Sequence, residues 1–181
     1  MTYAAPPREV IRHRGVISPM CEWSDLCGPL QGWSGGSAGS QAWPAANIAI
    51  GYGFVIPEPV IVYDAWYAAG ATAGGNFDIG IFDTAGNLIV NTGSTARVVS
   101  AHTNVALTDT TLAVGHYYAC MTADGTNNYA GWALAAAGLN EAHGMIEFTD
   151  APPFASTATF AATTRTLIPY FGFTIGYSLG I

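Results

Sequence analysis

The chain has 181 residues, 12 of them acidic and five basic, for a net charge of −7; only 9% are charged, while 50% are hydrophobic. That length accommodates one well-cored domain plus an extension, and an acidic body with no lysine excludes general nucleic-acid binding, which needs clustered Lys and Arg. No run of about 18 apolar residues occurs, so no membrane-spanning helix is expected.

The charge is uneven along the chain. Residues 1–14 carry Arg8, Arg12 and Arg14 against Glu9, a net of +2. The remainder carries Arg97 and Arg165 against eleven acids, a net of −9. The basic start suits docking on an acidic partner. With so few charges, Ala, Gly, Ser, Thr, Asn and Tyr must cover much of the exterior, and such a surface suits burial against other subunits. The first residues have neither the apolar core nor the cleavage pattern of a secretory signal. The three cysteines, Cys21, Cys27 and Cys120, are an odd number, which fits reduced thiols made in a cytoplasm; a Cys21–Cys27 bridge is the alternative in an oxidising setting.

In chain order, residues 1–46 form an irregular stretch punctuated by Pro6, Pro7, Pro19, Pro29 and Pro44, with a flexible Gly/Ser run over 32–40. Only Glu9–Ile17 reads as a strand. Trp23, Trp33 and Trp43 stand ten residues apart without a secondary-structure period, so the stretch reads as an extended arm that anchors either onto its own domain or onto a neighbour, with its arginines and tryptophans as the partner-binding candidates. Strands begin after Asn47. Ile48, Ile50, Tyr52, Phe54 and Ile56 make a large face, and Ala49, Gly51, Gly53 and Val55 make a small one that predicts a close neighbour. Pro57-Glu58-Pro59 ends that strand. Val60–Ala68 is apolar at nearly every position, as in a central strand buried on both faces. Phe77–Thr92 alternates on both sides of a turn at Asp83–Asn87, which predicts a hairpin with one buried face and Gly86 in the left-handed conformation.

Thr95–Ser100 and Asn104–Leu107 read as short strands. His116–Thr122 is a stronger one, ended by the turn cluster at Asp124–Asn128, and Tyr129–Leu134 is expected to pair back on it. Ala133–Asn140 is the one helix-compatible piece. Gly144–Asp150 and Arg165–Ile175 complete the set; in the last, Leu167, Pro169, Phe171, Phe173 and Ile175 share a face. Eight to ten strands joined by short turns, with no long helix between them, predict an all-β fold. The simplest form is an antiparallel two-sheet β-sandwich of jelly-roll type over 47–181, behind an N-terminal arm over 1–46.

Catalytic patterns are weak. Gly32-Trp33-Ser34-Gly35-Gly36 matches the G-x-S-x-G nucleophile elbow, but that motif needs a strand before the serine and a helix after it, and neither flanks Ser34. His13, His102, His116 and His143 lack metal-ligand spacing, and Glu141 with His143 is an isolated loop pair. Asp83–Asn87 and Asp124–Asn128 carry oxygen ligands suited to calcium, without the twelve-residue loop or closing glutamate of an EF-hand; turn formation accounts for the same residues. No cofactor is expected. Asp64, Trp66, Tyr129 and Trp132 are the candidates for a glycan-binding face, since aromatic rings stack on sugars; core packing explains the same residues.

Three segments carry a resemblance. They are Tyr52-Gly-Phe-Val-Ile-Pro57-Glu58-Pro59-Val60, Gly80-Ile81-Phe82-Asp83, and Leu112-Ala-Val-Gly115-His-Tyr117-Tyr118-Ala119. Together with Ile168-Pro169-Tyr170-Phe171-Gly172-Phe173, they resemble a β-sandwich domain met in structural proteins of tailed bacteriophages. The resemblance covers about residues 47–175. It implies a non-enzymatic virion component, made in the host cytoplasm and bound to other virion proteins as a homo-oligomer. Either it decorates or cements the capsid, or it belongs to the tail as a fibre, spike or baseplate part that meets a host-surface glycan. No catalytic residue comes with the resemblance, because the matching positions are strand and turn residues.

Overall fold

The computed structural model describes residues 15–17, 38–70, 72, 74–98, 102–126, 128–133, 145–163, 165 and 167–177. Every regular element among them is a β-strand, and every pairing is antiparallel. In chain order the strands are β1 (Gly15–Ile17), β2 (Ala38–Ala42), β3 (Ile48–Ile56), β4 (Val60–Ala68), β5 (Asn76–Asp83), β6 (Leu88–Asn91) and β7 (Thr95–Ala96). They continue with β8 (His102–Leu112), β9 (Gly115–Ala123), β10 (Asn128–Ala133), β11 (Met145–Thr149), β12 (Ala161–Ala162), β13 (Leu167–Pro169) and β14 (Phe171–Tyr177).

The sandwich consists of two sheets. One has four strands in the order β1-β14-β4-β8; the other has seven, in the order β12-β11-β3-β9-β5-β6 with β7 beside β5. Between them lies the main core, where Ile50, Tyr52 and Ile56 of β3 meet Val62 and Tyr67 of β4, Ile79 and Ile81 of β5, and Phe171, Phe173 and Ile175 of β14. The large face foreseen on β3 is the face that packs inward. A third sheet of three strands, β13-β10-β2, adjoins one end through an isolated bridge between Ala69 and Tyr129.

Four expectations change. First, β10 does not pair back on β9: it takes β2 and β13 as partners, from opposite ends of the chain. Second, Arg165–Ile175 is not one strand but two, β13 and β14, divided at Tyr170 and placed in different sheets. Third, the stretch before Asn47 is not wholly outside the sandwich. β1 continues the four-stranded sheet on β14, β2 pairs with β10, and Trp43 is buried in the core. Fourth, the first strand of the Phe77–Thr92 hairpin, β5, buries both faces: Phe77, Ile79 and Ile81 turn to the main core, while Asp78, Gly80 and Phe82 are buried on the opposite side; in β6 Ile89 stays exposed. The helix-compatible piece falls outside the described residues beyond Ala133, which itself ends β10.

What buries the second side is the segment 150–160. Leu88 N–H donates to Ser156 O, Ala158 N–H donates to Gly86 O, and Asn87 bridges Thr157, so the segment is stitched to the hairpin turn. Phe154 and Phe160 then lie on the outer face of the seven-stranded sheet, edge-on to Phe82 at 5.1 and 6.0 Å between ring centres. With Ala49, Cys120, Ile146 and Phe148 they make a second apolar cluster. The small face of β3 belongs here. A side chain at Gly51 would stand 2.5 Å from Cys120 Sγ and 2.8 Å from Ala119 O, so the close neighbours expected of that face are β9 and β11. Gly86 has φ +87°, the left-handed turn residue foreseen for the hairpin.

Candidate functional site

A run of buried or turn-forming carboxylates organises the sheet ends. Asp78 is buried and accepts three hydrogen bonds, from Asn91 Nδ2 at 2.6 Å, Thr92 Oγ1 at 2.9 Å and the Phe154 amide at 2.8 Å. Burial pushes its carboxyl above the ordinary range, and the donated hydrogen bonds only partly offset that. Asp83 accepts from Asn87 Nδ2 at 2.8 Å and from the amides of Asn87 and Ala85, which hold its carboxyl below the ordinary range. Asp124 Oδ1 accepts from the Asn76 amide at 2.8 Å, and Asp150 Oδ2 accepts from the Ala155 amide at 2.9 Å. Each of the two stretches considered for calcium thus spends its aspartate on fixing a turn or a strand start. Among the described residues, no three His, Cys, Asp or Glu side chains gather as metal ligands would.

Of the glycan-face candidates, Asp64 and Trp66 share a face and Tyr129 lies apart from them. β4 carries an irregularity between Val62 and Asp64 that switches its inward row from Val60 and Val62 to Ala65 and Tyr67. Asp64 and Trp66 therefore stand on the outer face of the four-stranded sheet, opposite Thr174 and Gly172 of β14. Asp64 is half-buried. Trp66 retains 5% of its exposure and meets Tyr170 edge-on at 4.9 Å. Tyr129 is a correction to that set: it lies in the core at 1% exposure and is closed to a sugar. Trp132 stands opposite Ala38 and Ile168 in the three-stranded sheet.

Trp43 is likewise a correction to the anchoring set. Its indole N–H donates to Ile48 O at 2.8 Å and its ring meets Tyr129 edge-on at 4.9 Å, so it anchors the chain to its own core. Arg8, Arg12, Arg14, Trp23 and Trp33 lie outside the described residues, as do Ser34, Cys21, Cys27, Glu141 and His143. Cys120 is fully buried in the second apolar cluster, and burial pushes its thiol well above the ordinary value.

A polar seam at the end of the sandwich was not foreseen. Arg97 is 7% exposed, and Tyr67 Oη accepts from the neighbouring Val98 amide at 3.0 Å. Tyr67 lies two residues before Ala69, which follows the end of β4, is buried in the same core and bridges Tyr129. The Tyr129 hydroxyl is buried and makes no hydrogen bond. Leaving such a group unmade costs about 1–3 kcal/mol. Both Arg165 and Arg97 act on it electrostatically, although burial dominates and pushes its hydroxyl far upward. Arg165 is held by Glu147 at 3.0 Å, with the Thr163 hydroxyl donating to the same carboxylate oxygen at 3.3 Å. The sequence signal for this seam was slight: two of only five arginines fall among Thr- and Tyr-rich strand ends.

No protein-family model matches the chain, and a search of curated proteins finds no match either.

Proposed function

We propose that this protein is a non-enzymatic structural component of a tailed-bacteriophage virion, a capsid decoration or cement subunit that docks on its neighbours through the basic residues ahead of the sandwich. Four short segments support the phage assignment, and all four fall on strands and turns: the β3–β4 corner, the end of β5, the β8–β9 corner, and β13–β14. The assembly role rests chiefly on one observation, the composition of the exterior. Val55, Val98 and Val114 stand 50%, 48% and 62% exposed in a chain that has no lysine to surround them. Lone surface valines are ordinary, but charge-poor surroundings leave little to oppose association. The net +2 over residues 1–14 against −9 over the rest supplies complementary docking charges between copies.

Arg8, Arg12 and Arg14 with Trp23 and Trp33 are the partner-binding residues in this reading; Trp43 belongs to the fold. The tail-associated alternative, a sandwich reading a host glycan, keeps only Asp64 and Trp66 on one outer face. Light scattering on the eluting protein, from low to high micromolar, tests the proposal. Association into a defined oligomer is expected, and a monomer at every concentration argues against it.

A further inference from the structure

One end of the sandwich gathers exposed apolar residues. Val55 of β3 stands opposite His116 of β9, and Ile56 opposite Gly115, so Val55 lies beside the β8–β9 corner at Ala113 and Val114. Val60 opposite Leu112 brings the β3–β4 corner, Pro57-Glu58-Pro59, to the same end. Val55 and Val114 are 50% and 62% exposed, and Pro57, Pro59 and Ala113 are exposed with them. The acids at this end are Glu58, which is exposed, and Asp83, which closes β5 opposite Tyr117. The two described arginines lie elsewhere. The Arg97 amide donates to Gly75 O ahead of β5, and Arg165 is held by Glu147, which stands opposite Ile50 early in β3.

We propose that this end seats residues 1–14 of a second copy, each arm exchanged onto the other subunit across a two-fold axis; this rests on the docking role proposed above. β1 runs antiparallel to β14 with Gly15 opposite Ile175, and β14 finishes with Tyr177 opposite Val60. The chain therefore enters β1 from the end that holds the β3–β4 corner. Two copies meeting at these ends bring each arm to the other's seat, and 14 extended residues span up to about 45 Å. Arg8, Arg12 and Arg14 supply the charge that meets Glu58 and Asp83, while Tyr3, Val10 and Ile11 supply apolar area for the valines. Val55 and Val114 stay exposed in the single chain, which leaves them to a second one.

The test is charge exchange in the full chain, read by sedimentation velocity. One variant is Arg8→Glu/Arg12→Glu/Arg14→Glu, and the other is Glu58→Lys/Val114→Lys. Alone, each is expected to associate at least about tenfold more weakly than the parent, because one side of the contact is reversed. Mixed in equal amounts, they are expected to recover association: one of the two exchanged contacts is then native, and the other is reversed on both sides. Glu58→Gln/Val114→Ser, which adds no charge, is a second corner variant expected to weaken association. Circular dichroism melts at a concentration where the parent is monomeric check that the corner substitutions leave the fold intact. Corner variants that associate as tightly as the parent, or a mixture no tighter than either variant alone, would overturn the seat while leaving oligomerisation through the arm standing. A parent that is monomeric at every concentration would overturn the seat and the docking role together.

Discussion

Replacing Asp78 with alanine tests why β5 is buried on both faces. The carboxylate is the only group through which the outer side of β5 holds both β6 and the segment at Phe154 by side-chain hydrogen bonds among the described residues. Alanine leaves the buried Phe154 amide without its acceptor, at a cost of about 1–3 kcal/mol. Asn91 and Thr92 are half-buried and recover water in part, so each loses about 0.5–1.5 kcal/mol. Removing a desolvated charge returns some of this, as the upward shift of the Asp78 carboxyl indicates. The net expectation is a loss of about 3 kcal/mol, equivalent to a melting temperature lower by about 10 °C for a chain of this size. Circular dichroism melts supply the number, and hydrogen exchange locates it: protection should fall first at the Phe154, Ser156 and Ala158 amides. Asp78→Asn, which keeps one acceptor oxygen, should fall between. An Asp78→Ala protein that melts within about a degree of the parent, with the 150–160 amides still protected, would refute the pinning role.

Other outcomes follow from the same packing. Gly51→Ala places a methyl 2.5 Å from Cys120 Sγ and 2.8 Å from the Ala119 carbonyl, so denaturant titration should show a loss of about 1–3 kcal/mol, with partial rescue by Cys120→Ala. Gly86→Ala combines φ +87° with a clash of the added methyl against the Ala158 carbonyl oxygen; it should cost at least as much and release the 150–160 segment to protease. Because the folded Asp78 carboxyl titrates above its unfolded value of 3.8, its contribution to stability is greatest at low pH and is lost as pH rises through the folded value. The parent should therefore gain on Asp78→Asn as the solution is acidified from neutrality. Asp83, shifted downward, has the opposite sign: its contribution is present above 3.8 and is lost as pH falls through its folded value. In a Cys21→Ser/Cys27→Ser background, Cys120 should resist thiol reagents until the protein unfolds, since it is buried with its thiol raised.

Local alternation carried most of the strand positions. β3, β4 and β9 lie within a residue or two of where their period-two patterns end, and Gly86 was legible because few residues other than glycine sit comfortably at positive φ. Partnership was not legible in the same way. Nothing in Tyr129–Leu134 distinguishes pairing with the neighbouring β9 from pairing with β2 and β13, because ladder hydrogen bonds run between backbones and do not depend on which side chains the partner carries. Phe154 and Phe160 occur in a segment without strand periodicity, so their role as a cover for Phe82 emerges only once the outer face of β5 has to be buried. Trp43 read as one of the arm's anchoring tryptophans because its neighbours are Pro, Ala and Asn; its partner Tyr129 lies far along the chain. The polar seam was hidden for the same reason, since Arg97, Tyr67 and Tyr129 meet only through the tertiary fold.

The most direct test of the assembly account is sedimentation velocity on the intact chain beside an Arg8→Glu/Arg12→Glu/Arg14→Glu variant, at low and high salt. A fragment starting at residue 47 is unsuited to this purpose, because it would lack β2 and Trp43. The account predicts that the intact chain sediments as an oligomer at low salt, dissociates as salt screens the docking charges, and is monomeric when the three arginines are reversed. An intact chain and a variant that sediment alike as monomers at every salt concentration would contradict it.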